Sequence, residues 1–390
     1  MRSNPGGMIP PSQIMGRDAL ITRLWRVLEG RGVVLSAERR MGKTSIIKKM
    51  VAEPQQNCLC FYRDLEGIRT PLEFIETIFS DVEGCLSRSQ RLATKARGWL
   101  KHLTGLEIGG VVKFPDTIAA HWKSLLVKII EDLAEQQEQT VIFFWDEMPL
   151  MLYNIKQRQG EDSAMEVLDA LRSLRLTYPS IRMVFTGSIG LHNVITALKR
   201  AGYANDPTND MDTINVPSLS DADAGALARQ LIEGESLTTD SLQATADAIT
   251  DAVDNIPYFI HHVVDQLAQR GGKADMTIVN DIVNTCLTDP QDRWHLRYYR
   301  ERIDVYYLPD ERPFALNLLD VLSVAEQPMS FAEAFNLLKA KISTEDGEKV
   351  RDVLTLLQRD HYVIQQSGDG RFRFQFPLIQ RFWRLNRGLV

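Results

Sequence analysis

The sequence predicts an α/β protein built on a parallel sheet, and three stretches of it carry that expectation. In the first, Gly32 to Ser45, the apolar run Val33-Val34-Leu35 leads into Ala37-x-x-x-x-Gly42-Lys43-Thr44 and then into Ile46-Ile47-Lys48-Lys49-Met50. Strand, loop and helix follow in the order that a phosphate-binding loop requires. In the second, Val141 to Trp145 is a continuous apolar run of the kind that fills the middle of a parallel sheet, and it ends in Asp146 and Glu147. In the third, Ile181 to Phe185 is another buried run that ends in polar residues, Thr186-Gly187-Ser188. Ligands of open α/β sheets gather at the C-terminal ends of the strands, where all three polar endings fall.

The chemistry follows from the residue types. Ala37, Glu38, Arg39, Arg40, Met41, Gly42, Lys43, Thr44 and Ser45 form a candidate cradle for the phosphates of ATP. Backbone N–H groups and a helix N-terminus would face the β- and γ-phosphates, Lys43 would add positive charge, and the Thr44 hydroxyl would ligate Mg²⁺. Gly42 is expected so that the backbone can approach phosphate without a Cβ in the way. Ala37 stands where this pattern usually begins with glycine, at a position leaving the strand where a methyl group is tolerable. Asp146 is the expected second holder of the Mg²⁺ shell, and Glu147 the group that polarises water for attack on the γ-phosphate. Thr186 or Ser188 either reaches the γ-phosphate or its water as a polar sensor, or closes an ordinary strand-end turn.

Bulk properties narrow the field. A chain of 390 residues is long enough for two or three domains, each with its own core. Its net charge of −6 means that any contact with nucleic acid would need a local basic face. Four cysteines, Cys58, Cys60, Cys85 and Cys286, lack metal-ligand spacing and read as reduced thiols. No run approaches the ~18 apolar residues of a membrane-spanning helix, and the N-terminus lacks an apolar signal core, so a cytoplasmic protein without membrane contact is expected.

Taken in order, the chain opens with a Pro- and Gly-rich lead-in, Met1 to Gln13, followed by an amphipathic helix after Gly16-Arg17-Asp18. Ile14 to Asp18, Arg17 included, either contacts the adenine or simply starts a helix packed on the sheet. Cys58 to Tyr62 is a second strand, and Thr70-Pro71-Leu72-Glu73 has the residues of a helix start with a capping box. A basic segment with Arg88, Arg91, Lys95, Arg97 and Lys101 precedes a hairpin expected at Gly109-Gly110. Helices are expected at about Ile118 to Glu138 and Ser163 to Thr177, and a fifth strand at Thr213 to Val216. Beyond Ser220 the periodicity is helical only, with starts near Ser220, Ser241, Tyr258 and Met276. Asp289 to Pro313 reads as an irregular aromatic and basic strap. Three further helices, over Ala315 to Val324, Ser330 to Ala340 and Gly347 to Arg359, precede two short strands around Gly368 and a last helix with Arg381, Arg384 and Arg387. Three helices and a hairpin make a winged helix, which serves either as a DNA reader or as a protein-binding lid.

Assembled, these parts resemble the prokaryotic P-loop ATPases of the AAA+/STAND group, in particular the archaeal-type ATPase family. Gly16-Arg17-Asp18, Arg39-Arg40-x-Gly42-Lys43-Thr44-Ser45, Trp145-Asp146-Glu147, Phe185-Thr186-Gly187-Ser188, Asn255-Ile256-Pro257-Tyr258 and the terminal winged helix carry the resemblance. It implies a sheet of order 5-1-4-3-2 and an organisation of P-loop core (1–218), helical lid (219–290), linker (291–312) and winged helix (313–390). It also implies ATP binding and hydrolysis coupled to rearrangement, self-association or a protein partner, with DNA as the alternative partner. Arg172 and Arg175 are candidate groups acting in trans, and either could instead be ordinary surface.

Overall fold

The computed structural model describes residues 1–86, 94–104, 114, 116–188 and 190–389. These divide into two compact units, one of Pro10–Ala37 and Lys43–Val216, the other of Met1–Ile9, Glu38–Gly42 and Pro217–Val390.

In the first unit, β1 (Gly32–Ser36), β2 (Cys58–Asp64), β3 (Thr140–Asp146), β4 (Ile181–Thr186) and β5 (Met211–Asn215) form one sheet in the order β2-β3-β4-β1-β5. Every pairing is parallel, and the order is the expected 5-1-4-3-2 read from the other edge. The apolar run of β3 has its reason here, because six of its seven residues are buried between helices. Its Trp145 ring stacks on Phe143 at 5.2 Å and on Phe185 of β4 at 5.9 Å, and meets Phe74 edge-on at 5.0 Å. This aromatic layer fixes the side-by-side placement of the two strands whose ends carry Asp146 and Thr186.

Local signals explain the helix starts. Pro71 begins the helix Pro71–Cys85, and the Thr70 hydroxyl accepts from Glu73 N at 3.2 Å. Glu73 reaches back to Arg69 N at 2.7 Å, one residue before the cap, so the box is displaced from the expected geometry. The reciprocal box forms instead at Ser330 and Glu333, where the helix Phe331–Ile342 begins.

Several elements differ from the sequence reading. Met148–Thr177 is two helices joined across a kink at Gly160 (φ 87°); the second agrees with the helix expected from about Ser163, and the first was not anticipated. The helix before the kink buries Met148, Met151, Leu152 and Ile155 at helical spacing, a pattern hidden by the polar stretch that follows. The helix expected from Ile118 begins with a 3₁₀ segment, Asp116–His121, and becomes α only over Trp122–Gln136. Helices Lys95–Thr104 and Leu191–Arg200 were not anticipated. In the basic segment, Lys95 pairs with Glu131 and Glu135, and Arg97 with Glu83. The expected Gly109-Gly110 hairpin, Arg88 and Arg91 lie outside the described residues.

The second unit holds helices Asp221–Gly234, Leu242–Ala252, Pro257–Arg270 and Met276–Thr288; Ser220, Ser241 and Asp275 cap the first, second and fourth with their side chains, and Pro257 opens the third. The strap is not irregular throughout, since Tyr298–Tyr306 is helical. Helices Arg312–Ser323, Phe331–Ile342 and Gly347–Arg359 follow, then the antiparallel pair β6 (Val363–Gln365) and β7 (Phe372–Phe374) and the helix Pro377–Arg387. Phe372, Phe374 and Phe376 are buried, as their alternation with Arg371, Arg373 and Gln375 requires.

The start of the last helix is tied to Asp254, whose carboxylate accepts from Leu378 N at 2.7 Å. Burial raises its pKa to about 6, although the bond from Leu378 and the charges of Arg381 and Arg373 pull the other way. A pKa above the ordinary ~3.9 means that the folded state holds the proton more tightly, so this stabilisation is full at low pH and is lost as pH rises through about 6. Asp254→Asn keeps an acceptor for Leu378 N–H without the buried charge. Urea unfolding should therefore find it more stable than the natural chain near neutral pH, by about 1–3 kcal/mol, with the gain vanishing near pH 4.

Candidate functional site

Because β4 lies between β1 and β3, the ends of these three strands converge, and the site of the α/β unit is assembled there. Lys43 opens the helix Lys43–Ala52, is 7% exposed, and donates from Nζ to the Ala37 carbonyl oxygen at 2.8 Å. That bond uses only the backbone of Ala37, so the methyl group where a glycine was expected is no obstacle to it.

Thr44, the next residue, donates from Oγ1 to Asp146 Oδ2 at 2.6 Å. The same oxygen accepts from the Tyr62 hydroxyl of β2 at 3.4 Å, and Oδ1 accepts from Glu147 N at 3.1 Å. Burial pushes the Asp146 carboxyl above its ordinary pKa, while the Thr44 bond opposes the shift. A hydroxyl from the first turn of a helix and a carboxylate from a strand end, fixed within hydrogen-bond distance, are a hard-oxygen pair of the type that Mg²⁺ accepts, so these residues fit that ion.

Glu147 adopts a left-handed backbone (φ 56°) and its carboxylate turns to the end of β4. Ser188 N lies 3.0 Å from both carboxylate oxygens and Ser188 Oγ donates to Oε2 at 2.9 Å. Gly187 permits this approach. A Cβ there would lie 2.7 Å from Pro149 Cδ and 3.3 Å from Glu147 Oε2. Burial raises the Glu147 pKa, against the bonds from Ser188, which makes the carboxylate a better proton acceptor. Thr186 is 2% exposed, and its hydroxyl has no hydrogen-bond partner among the described residues. An orphaned buried hydroxyl at a strand end fits a group waiting for a ligand.

Arg17 stands at the N-cap position of the helix Asp18–Leu28, without a side-chain capping bond, and is 4% exposed. The tip of the loop, Glu38–Gly42, counts with the helical unit. Within it Arg40 (φ 74°) and Gly42 (φ 86°) are left-handed, and Met41 is buried. Among the described residues, chain neighbours aside, no atom lies within 4 Å of a Cβ built on Gly42, so glycine is favoured there by backbone angle rather than by crowding. Ser45 follows Thr44 in the first turn of the helix Lys43–Ala52.

Arg175 is not available as a group acting in trans. It is buried, with Nε 2.7 Å and Nη2 2.9 Å from Asp210 and a further bond from Nη2 to the Pro207 carbonyl. Arg172 lies 4.0 Å from the same carboxylate. Asp210 precedes β5, at the end of the sheet away from Lys43 and Asp146. Sequence reasoning missed Tyr62 and Gly187. Tyr62 sits in an apolar run where a ring reads as core, and only the β2–β3 register, Tyr62 beside Phe144, brings its hydroxyl to Asp146.

The sheet order and the phosphate loop ending on Lys43-Thr44 beside Asp146-Glu147 give the chain the P-loop AAA+ fold. Solved structures share it over nearly the whole chain. The Walker-type ATPase PABY2304 of Pyrococcus abyssi matches with a TM-score of 0.65 at 15% identity, over 95% of this chain and 96% of that one. The Aeropyrum pernix ORC2 protein, in ADPNP–ADP complexes, matches with a TM-score of 0.54 at 13% identity, over 98% and 97%. No protein-family model and no curated protein matches the sequence. Among the described residues no helix is long and apolar enough to cross a membrane.

Thr44→Ala removes the hydroxyl from Asp146 without disturbing the buried face of its helix. It should weaken nucleotide binding about tenfold or more when Mg²⁺ is present and far less in EDTA, with Thr44→Ser restoring affinity. Titration with a fluorescent nucleotide, with and without the metal, reads the difference.

Proposed function

We propose that this chain is an ATP-binding, ATP-hydrolysing molecular switch that couples nucleotide state to a change in its helical unit, to self-assembly or to engagement of a protein partner in signalling or defence-type regulation. The observation that carries the reading is the 2.6 Å bond between Thr44 and Asp146, which joins the loop end to the acidic strand end. In this reading the backbone and side chains of Ala37, Glu38, Arg39, Arg40, Met41, Gly42, Lys43, Thr44 and Ser45 cradle the phosphates, and Arg17 stands toward the base. Thr44 and Asp146 hold Mg²⁺, which when bound neutralises charge on the β- and γ-phosphates.

Each catalytic assignment has a physical basis. Lys43 places its ammonium at the helix N-terminus, where anions are favoured. Glu147 accepts the proton of the attacking water, and Ser188 holds its carboxylate in one orientation. Thr186 offers its hydroxyl to the γ-phosphate or to that water. The helices over 219–290 act as a lid, 291–312 as linker, and 313–390 as a winged helix. In DNA-associated use, Arg371, Arg373 and the Arg381 to Arg387 helix would meet phosphate. Their pairings favour the switch instead: Arg371 binds Glu333, Arg387 binds Asp320, and Arg381 donates to Asn284.

Glu147→Gln should bind ATP as the natural protein does and lose about 10²-fold or more in turnover, since the amide cannot take a proton. Mass in solution with MgATP should rise, remain high in Glu147→Gln and stay at its nucleotide-free value in Lys43→Ala. Unchanged mass together with DNA affinity that falls steeply with salt, and falls again on Arg371→Ala and Arg373→Ala, would favour the DNA reading.

A further inference from the structure

A loop that receives a triphosphate is a poor place for a carboxylate, yet Glu38 stands in this one. Its charge is compensated inside the helical unit. Arg302, on the helix Tyr298–Tyr306, lies 3.0 Å from Glu38 Oε2 and donates to Oε1 at 3.2 Å, and both residues are buried, at 6% and 2% exposure. Glu38 Oε1 also accepts from Arg39 N at 2.8 Å, so the carboxylate holds a backbone N–H of the loop itself. Arg302 is fixed in turn by donation to the Tyr362 hydroxyl at 2.6 Å and to the Asp360 carbonyl, with its guanidinium 4.0 Å from the centre of the Tyr362 ring. The neighbouring loop side chains are held by rings of the same unit, Arg39 over Tyr298 at 4.2 Å and Arg40 over Tyr258 at 3.8 Å.

Breaking a buried ion pair from one side leaves an uncompensated charge, whereas removing both charges costs far less. Here the charge left by loss of Arg302 would be negative, in the loop that must accept phosphate. We propose that Arg302 is a positioning residue for nucleotide binding: through Glu38 it sets the conformation and charge of the loop tip. Nucleotide affinity and the order of the Tyr298–Tyr306 helix and the Asp360–Tyr362 turn are therefore linked. Linkage is reciprocal, so occupancy of the loop stabilises those two segments by the same factor. This inference rests on the nucleotide-binding reading above, and it adds which residues outside the loop transmit occupancy.

The test uses the full chain, fluorescently labelled ADP with Mg²⁺, and Lys43→Ala as the control for the site. Arg302→Met should weaken binding about tenfold or more, and Glu38→Gln with Arg302→Met together should recover most of that loss, a non-additive cycle. Arg302→Lys should fall between. In the natural protein, ADP should slow amide exchange over Tyr298–Tyr306 and Asp360–Tyr362, and in Lys43→Ala it should not; this arm decides the matter should Arg302→Met fail to fold. Losses that simply add, unchanged affinity in Arg302→Met, or exchange indifferent to bound ADP would overturn the inference while Lys43→Ala still abolished binding. Failure of the natural protein to bind labelled ADP would overturn the nucleotide reading, and this linkage with it.

Discussion

Everything in the α/β unit depends on one constraint, the position of β4 between β1 and β3. Parallel pairing aligns the strand ends, so three polar endings that are far apart in the chain meet at one edge. The Trp145 ring, stacked across from β3 to Phe185 of β4, sets this alignment from within the core. Asp146 and Thr186 then emerge at adjacent positions without any contribution from loop conformation. Regular elements position side chains more closely than loops can, and Asp146 on its strand end meets Thr44 in the first turn of its helix at 2.6 Å.

The helical unit has a polar interior of its own. Tyr362 donates to the Tyr299 carbonyl, Tyr307 donates to Asp360 at 2.8 Å, and Arg302 joins both groups. Burial raises the pKa of Tyr299, Tyr307 and Tyr362 well beyond the ordinary tyrosine range, so all three stay neutral hydrogen-bond donors at any physiological pH. A network of this kind, with its members mutually satisfied, specifies one arrangement of the strap and the terminal helices.

The sheet, and the residues that it brings together as the candidate site, were legible in the sequence because each depends on local pattern. Continuous apolar runs announced β3 and β4, and Ala37 to Thr44 announced the loop by spacing alone. The Lys95–Thr104 and Leu191–Arg200 helices were missed although Ala96, Trp99 and Leu100, and Leu191, Val194, Ile195 and Leu198, recur at helical spacing, because each is only 10 residues long; the strap helix was missed because its aromatic residues are mixed with charged ones. Tyr62 and Arg302 were missed for a different reason. Their significance lies in contacts to residues 84 and 264 positions away, and nothing in their immediate neighbours encodes such contacts. Arg175 was misjudged because a sequence cannot distinguish an arginine on a helix surface from one buried against Asp210.

The backbone of Glu147 is left-handed, as are those of Arg40 and Gly42 in the loop. A non-glycine residue in that region costs of order 1 kcal/mol, and glycine would relieve it. Selection for stability alone would thus drift toward glycine at 147 and discard the carboxylate that Ser188 holds. On the proposed role of Glu147, the chain gives up folding free energy there for reactivity. It also means that comparisons of variants at 147 separate backbone relief from lost chemistry only when the replacement side chain shares the branching of glutamate.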